Sequence, residues 1–258
     1  MDDLSDAYAN AVHIPGGVQF PARWAAAASA FRAAHLPEDL AYGDHPRERL
    51  HLFRPEGSPR GLLVFVHGGY WVAFGREDFS HLAAGPLARG WAVALPSYPL
   101  CPEVPVGAIT RAVTRAVSRA AEEVPGPIHL AGHSAGGHLV ARLACADVPL
   151  PPRDRLARVV PISPLANLRP LLRTNLNGTL RLSEAEALSE SPMLRPKPTV
   201  PLVVWVGEAE RPAFRDQALW LSQAWDAPLV VDPGRHHFDV IAGLADPESP
   251  LTRAVLGE

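Results

Sequence analysis

The sequence predicts an α/β fold built on a mainly parallel, doubly wound sheet with helices on both of its faces. Three observations predict it. Short apolar runs alternate with longer stretches of helical spacing from residue 61 onward. Several of these runs are continuously apolar, as is typical of strands covered on both faces. A Gly-x-Ser-x-Gly motif at residues 132–136 joins one such run to a helix, which is a strand-to-helix turn able to expose its serine.

The first 47 residues are predicted to form a segment that wraps around the sheet. Residues 22–34 are rich in alanine, and Trp24 and Phe31 stand seven positions apart, so they share one face of a helix. This helix is expected to pack on the core. Residues 49–53 alternate polar and apolar side chains before a turn, which predicts a strand.

The elements that follow alternate regularly. Further strands are predicted over residues 61–66, 91–95, 128–131, 158–163, 202–206 and 229–231. Helices are predicted over residues 106–123, 135–146 and 212–225. The chain has 258 residues and shows no internal repeat or low-complexity linker, which favours a single large domain.

Residues 167–192 interrupt this alternation between two predicted strands. An insertion of this length is long for a plain connection, so it is either a lid over a site or a surface excursion. Ligands of parallel sheets bind at the carboxyl ends of the strands, the edge from which the insertion emerges. We therefore expect residues 167–192 to be a short lid.

Composition and charge favour a small-molecule substrate. The chain has 24 Lys and Arg against 27 Asp and Glu, a net charge of -3, and no dense basic run. Nucleic acid and anionic membrane surfaces are therefore not expected partners. Cys101 and Cys145 are too few for a disulfide framework and lack metal-ligand spacing. With no signal-peptide pattern at residues 1–6 and no membrane-length apolar stretch, we expect a cytoplasmic protein.

Ser134, at the centre of the Gly-x-Ser-x-Gly motif, is the candidate nucleophile. Small flanking residues let a serine occupy a strained turn with its hydroxyl exposed. The motif also occurs by chance, and the alternative is an ordinary glycine-rich turn between a strand and a helix. The interpretation therefore depends on the rest of the catalytic machinery.

Residues 67–71, His-Gly-Gly-Tyr-Trp, follow the predicted strand 61–66 and supply a candidate oxyanion hole. Glycines there leave backbone N–H groups free to approach a developing negative charge. Gly69 and Tyr70 would donate, together with the N–H of Ala135. The alternative is a strand-ending turn with His67 as a structural hydrogen-bonding residue.

A general base is expected downstream of the nucleophile, in the chain order of nucleophile, acid and histidine. Of the histidines after Ser134, His138 lies one helical turn away and is expected to pack or hydrogen-bond behind it. His237 is favoured over His236, because Phe238 would be buried and leave the imidazole of His237 at the loop tip. His236 would be solvated or hold the loop.

The acid that orients the histidine is expected after the predicted strand 202–206. Glu210 is favoured over Glu208 because it stands three residues past the glycine that ends this strand. Asp216 and Asp239 are further alternatives. Either Glu208 or Glu210 could instead be a solvated carboxylate at the N-terminus of the helix at 212–225, where it would offset the helix dipole.

Aromatic residues lie close to these motifs. Tyr70, Trp71 and Tyr98 are placed on loops at the expected edge of the site, where Trp71 and Tyr98 are candidate substrate-binding residues. Alternatively, Trp71 and Tyr98 are apolar side chains that pack inside the loops and stiffen them. The sequence leaves both alternatives open for each residue.

With these residues in place, the chain resembles members of the α/β-hydrolase superfamily. Within that superfamily it resembles the kynurenine formamidase (arylformamidase) type, which is close to the hormone-sensitive-lipase-like esterases. The resemblance spans most of the chain. The motifs that support it are residues 39–44, 67–71, 97–102, 132–139, 207–214, 237–238 and 249–254.

The resemblance implies a serine hydrolase that needs no metal or other cofactor and cleaves an amide or ester of a small aromatic compound. N-formylkynurenine is the substrate for which the family is named. Many superfamily members have Asp as the acid, whereas the matching position here is Glu210. A general short-chain carboxylesterase is the alternative activity, and a hydrolase fold used as a binding module without catalysis is the alternative of another class. The oligomeric state is left open, with a homodimer as one option.

Overall fold

One eight-stranded sheet organises the chain in the computed structural model, which describes residues 3–258. The first two residues of the predicted wrapping segment lie outside the described residues. The strands are β1 Glu38–Ala41, β2 Arg49–Phe53, β3 Leu62–Val66, β4 Ala92–Pro96, β5 Ile128–His133, β6 Leu156–Ile162, β7 Val204–Gly207 and β8 Leu229–Asp232. Their order is β1-β2-β4-β3-β5-β6-β7-β8. Only the pairs that involve β2 are antiparallel among these strands, so the fold is the predicted mainly parallel α/β architecture.

Helices cover both faces of this sheet. They are α1 Phe20–Ala34, α2 Ala84–Ala88, α3 Val106–Glu123, α4 Ala135–Ala144, α5 Asn177–Leu180, α6 Glu184–Ser189, α7 Pro212–Trp225 and α8 Pro250–Leu256. Single turns of 3₁₀ helix lie at Ala11–His13, Gly17–Gln19, Ser80–Ala83, Arg153–Arg155, Arg169–Arg173, Pro192–Leu194 and Ala242–Ala245. None of the helices in residues 3–258 combines the length and apolarity needed to cross a membrane.

The sheet divides the apolar core into two clusters. Val64 and Val66 of β3 pack with side chains of α3, α4 and α7, whereas Leu63 and Phe65 of the same strand pack with those of α1 and α8. Every residue of β3, β4 and β5 is buried, because both faces of these central strands are covered. This double burial explains why the sequences of β3 and β4 are continuously apolar.

Two strands begin two residues away from their sequence-based boundaries. β6 begins at Leu156, two residues before the predicted start, and β7 begins at Val204 rather than at residue 202. Leu202 makes only an isolated parallel bridge to Val159. Pro201 precedes it and has no N–H to donate to a ladder, so regular pairing starts later.

The insertion at residues 167–192 is fixed to the helices behind the sheet. Glu190 accepts hydrogen bonds from Thr110 of α3 at 2.8 Å and from Arg142 of α4 at 3.4 Å. Its backbone carbonyl accepts one from His138 Nε2 at 2.7 Å. These buried polar contacts of Glu190 tie the end of the insertion to α3 and to α4, the helix that follows β5.

The turn from β5 into α4 brings the start of this helix very close to the backbone of β3. Ser134 occupies φ 56° and ψ -115°, a conformation that L residues rarely adopt. A Cβ atom added at Gly136 would lie 2.0 Å from the carbonyl oxygen of Val66, and one added at Gly132 would lie 2.2 Å from that of Gly136. Only glycine allows α4 to approach β3 this closely.

We expect Gly136→Ala to lower the free energy of unfolding by at least ~1–3 kcal/mol, because the new methyl group overlaps backbone that cannot move away. Gly178→Ala is the matched control, since a Cβ there meets nothing within 4 Å. The control should change stability by less than ~1 kcal/mol and in the stabilising direction. Urea denaturation measures both, and equal midpoints for Gly136→Ala and the wild-type protein would contradict this account.

Candidate active site

Ser134 lies at the carboxyl edge of the sheet, at the base of a cavity of about 460 Å³. Its backbone N–H donates to the carbonyl of Ile162 at 2.8 Å, which ties the turn to β6. The side chain is almost wholly buried, and the residue lines the cavity together with His133 and His237. The structure thus brings the predicted nucleophile and the predicted base to the same cavity.

His237 and Glu210 form a buried pair beside Ser134. The Nδ1 atom of His237 lies 2.6 Å from Oε2 of Glu210, and both side chains are at most 3% exposed. Because Nδ1–H donates to the carboxylate, Nε2 of the imidazole keeps its lone pair. This tautomer is the one that a general base requires.

The second oxygen of Glu210 is held by groups from two strand ends. Ser163 Oγ donates to Oε1 of Glu210 at 2.5 Å, and the backbone N–H of Gly207 donates to the same atom at 2.9 Å. The carboxylate therefore has three hydrogen-bond partners that fix its orientation. Ser163 was missed in the sequence; its one signal is its position directly after β6, next to the strand that leads to Glu210.

The other candidate acids lie elsewhere. Glu208 accepts from the N–H of Gly234 at 2.9 Å, so it closes a loop at the surface. Asp216 is exposed on α7. Asp239 accepts from the N–H of His236 at 2.8 Å.

The other downstream histidines also have structural contacts. His236 Nδ1 accepts from the backbone N–H groups of Phe238 and Asp239 at 3.1 and 3.2 Å, so it holds the loop. His138 is buried behind the nucleophile, where its Nε2–H donates to the insertion. Burial lowers the pKa of His138 to about 4, so this imidazole is neutral near pH 7.

His133 connects the nucleophile turn to the histidine loop. Its Nε2–H donates to the backbone carbonyl of His237 at 2.8 Å. Burial, together with the neighbouring His237, holds the pKa of His133 well below its ordinary value, so it stays neutral and able to donate. His133, the residue before the candidate nucleophile, thereby positions the candidate base.

The loop after β3 has the backbone geometry of an oxyanion hole. Gly69, Tyr70 and Trp71 have consecutive positive φ angles of 101°, 50° and 59°. Within residues 3–258, the backbone N–H groups of Gly69, Tyr70 and Ala135 donate to no acceptor. Ala135 is the first residue of α4, where the helix dipole adds positive potential. His67 is buried in this loop, and burial lowers its pKa to about 3.

Trp71 and Tyr98 do not line the cavity, contrary to the prediction that they bind substrate. Both are fully buried. Tyr98 stacks on His67 with ring centroids 4.3 Å apart and donates to the carbonyl of His67 at 2.9 Å, and Trp71 packs edge-on against His138 at 5.0 Å. The consecutive positive φ angles turn the Trp71 side chain into the core, so the two rings stiffen the loop.

The roof of the cavity comes mainly from the N-terminal segment rather than from the predicted lid. Residues between Ser5 and Trp24 line much of it, whereas the insertion at residues 167–192 contributes Asn175 and Leu176. The aromatic lining missed in the sequence consists of Tyr8, Trp24, Phe74, Phe79 and Phe238.

The N-terminal roof is held in place by polar contacts. Tyr70 Oη donates to the carbonyl of Tyr8 at 2.6 Å, and Gln217 Nε2 donates to Tyr8 Oη at 2.9 Å. Arg211 donates to Asp6 at 2.6 Å and so links the segment to the start of α7. The roof is therefore attached both to the oxyanion loop and to the helix next to Glu210.

The cavity is apolar and uncharged. In the part of the chain that the structure describes, none of its lining residues is Asp, Glu, Lys or Arg. Residues 3–258 also contain no group of three or more His, Cys, Asp or Glu side chains arranged to hold a metal ion. The described site thus offers a nucleophile, a base and backbone donors, within walls suited to a neutral group.

Comparisons with known proteins agree with this geometry. The chain is 28% identical over 239 residues to kynurenine formamidase of Salmo salar, covering 84% of this chain and 80% of that protein. Kynurenine formamidase of Drosophila melanogaster is also 28% identical, with coverages of 84% and 79%.

Solved structures show the same fold. A protein of Silicibacter sp. TM1040, provisionally named a thioesterase, superposes with a TM-score of 0.96 at 52% identity and covers 98% of both chains. An esterase from Pyrobaculum calidifontis superposes with a TM-score of 0.70 at 21% identity, covering 93% of this chain and 91% of that one. The family model for the alpha/beta hydrolase fold matches residues 63–199, more than half of the chain. The chain therefore belongs to the α/β-hydrolase family and is a hydrolase.

Proposed function

We propose that this chain is a serine hydrolase that cleaves an amide or ester of a small aromatic compound through an acyl-enzyme. The observation that supports it most is the buried His237–Glu210 pair, 2.6 Å apart, next to Ser134 in an aromatic-lined cavity. An aryl formamide of the N-formylkynurenine type is the first candidate substrate, because the two curated relatives described above are kynurenine formamidases.

Each step of the reaction has a residue suited to it. His237 Nε2 removes the hydroxyl proton of Ser134, whose oxygen attacks the acyl carbon. The N–H groups of Gly69, Tyr70 and Ala135 stabilise the oxyanion. Glu210 stabilises the imidazolium cation of His237. The imidazolium then returns its proton to the leaving amine or alcohol. Water, activated by the same imidazole, then releases the acid and regenerates Ser134.

A second candidate is a neutral short-chain ester or thioester. The walls of the cavity support it, since in residues 3–258 they contain no side chain that could pair with the ammonium or carboxylate of an amino-acid substrate. The 52% identical Silicibacter protein with the provisional thioesterase name supports the same chemistry.

We further propose the kind of partner that the enzyme has and the compartment in which it acts. Its partner is a small-molecule substrate. A cytoplasmic location is supported by Cys101 and Cys145, both buried free thiols, as expected in a reducing compartment.

Ser134→Ala is expected to reduce kcat on p-nitrophenyl acetate by about 10³-fold or more, because the acyl-enzyme can no longer form. Circular dichroism checks that the variant is folded. If Ser134→Ala kept near-normal turnover, a different group would be the nucleophile.

Ser163→Ala is expected to lower kcat by about tenfold or more with little change in KM, since it removes a charge-assisted hydrogen bond from Glu210. Ser189→Ala, on the exposed face of α6, is the control and should leave kcat unchanged. A kcat for Ser163→Ala within about twofold of the wild-type value would show that Glu210 is positioned without this hydroxyl.

The substrate class is tested by comparing kcat/KM for N-formylkynurenine with kcat/KM for p-nitrophenyl acetate and butyrate on the same preparation. The first candidate requires the larger value for N-formylkynurenine. Efficient ester turnover with no measurable cleavage of N-formylkynurenine would instead select the second candidate.

A further inference from the structure

Asn10 is a polar residue in the apolar roof of the cavity and has no assigned role. It is 8% exposed, and Oδ1 of its side chain is buried without a hydrogen-bond partner. Several other buried polar atoms in residues 3–258 lack a partner, but none of them belongs to a residue that lines this cavity. Buried carbonyl oxygens are almost always paired in folded proteins, so a group that enters the cavity is a natural partner for this one.

The backbone at Asn10 is fixed. Its carbonyl accepts from the N–H of His13 at 2.9 Å, which closes the 3₁₀ turn at Ala11–His13. A Cβ added at Gly17 would lie 2.2 Å from the carbonyl oxygen of Ala11, so the next turn packs directly against this one. Asn10 follows two residues after Tyr8, the residue that anchors the roof to Tyr70 and Gln217. Asn10 therefore lines the cavity from a fixed backbone position.

Three other polar side chains of the described lining each have a hydrogen-bond partner. Tyr8 Oη accepts from Gln217, and Ser5 Oγ donates to Asp3 at 2.6 Å. His133 donates its Nε2–H to the histidine loop. Among the buried side-chain polar atoms of the described cavity lining, Oδ1 of Asn10 is the one that has no hydrogen-bond partner.

The surroundings define the group that would bind there. Trp24 forms an aromatic wall with Phe74 and Phe238, at centroid distances of 5.8 and 5.4 Å. An aromatic ring fits such a wall. Because the described lining contains no charged side chain, the substituent that pairs with Asn10 is a neutral amine, amide or hydroxyl rather than an ion.

We propose that Asn10 and the aromatic wall of Trp24, Phe74 and Phe238 form a leaving-group subsite for a neutral aromatic ring with a hydrogen-bonding substituent. The inference rests on the proposed function, since it assigns this ring to the part of the substrate that departs from the acyl group. Asn10 is then a specificity-determining residue that takes no part in bond cleavage.

The test uses phenyl acetate and its 3- and 4-amino derivatives, whose aniline groups are neutral at pH 7.5. The wild-type enzyme should prefer one amino isomer over phenyl acetate by about three- to tenfold in kcat/KM, mainly through KM. Asn10→Leu, which keeps the size of the side chain but removes its polar atoms, should lose this preference while still hydrolysing phenyl acetate. Asn175→Leu makes the same change at an exposed residue of the rim and should retain the preference.

A second variant at the same position is expected to gain activity on a cationic substrate. Asn10→Asp introduces a carboxylate of nearly identical shape, so it should raise kcat/KM about tenfold for the corresponding aminomethyl-phenyl acetate, whose substituent is a cation. The subsite is supported if Asn10→Leu loses the amino preference and Asn10→Asp gains the cationic substrate.

The proposed subsite is overturned if no amino isomer is preferred by the wild-type enzyme, if Asn10→Leu keeps the preference, or if Asn10→Asp gains nothing. These failures are distinct from failure of the proposed function. The proposed function fails only if hydrolysis of phenyl acetate survives in Ser134→Ala.

Discussion

The close approach of α4 to β3 at the Ser134 turn is the constraint on which the rest of the site depends. Ser134 has a φ of 56°, and the glycine at position 136 lies so near the carbonyl of Val66 that a Cβ would be only 2.0 Å from that oxygen. This packing places the start of α4, with its unpaired N–H at Ala135, beside the loop that follows β3. The strained Ser134 therefore lies at the same sheet edge as the backbone donors of α4 and of the loop after β3.

The remaining groups are positioned by neighbouring strand ends rather than by long-range flexible contacts. Glu210 is held by Ser163 after β6 and by Gly207 at the end of β7, and it orients His237 in turn. His133 fixes the histidine loop from the nucleophile side. The candidate catalytic residues therefore lie at the sheet edge, whereas the N-terminal roof supplies ten of the 23 residues that line the cavity.

Much of the fold could be predicted from the sequence because strands buried on both faces are continuously apolar, as in β3 and β4. The positions of Ser134, Glu210 and His237 could be predicted because each follows a strand end in a fixed chain order. Ser163 could not, since a single serine after a strand has no pattern of its own. Nor could the roof, because its contacts depend on the path of a segment without periodicity. The inward direction of Trp71 depends on local positive φ angles that the sequence does not reveal.

The most direct test of the central claim is covalent labelling with a fluorophosphonate, followed by peptide mass spectrometry. Such a reagent reacts with a serine only when a base activates it and donors stabilise the resulting oxyanion-like adduct. The account requires a single phosphonylated residue, Ser134, with loss of activity in proportion to labelling and no labelling of Ser134→Ala. Stoichiometric labelling at another residue, or unchanged labelling of Ser134→Ala, would contradict it.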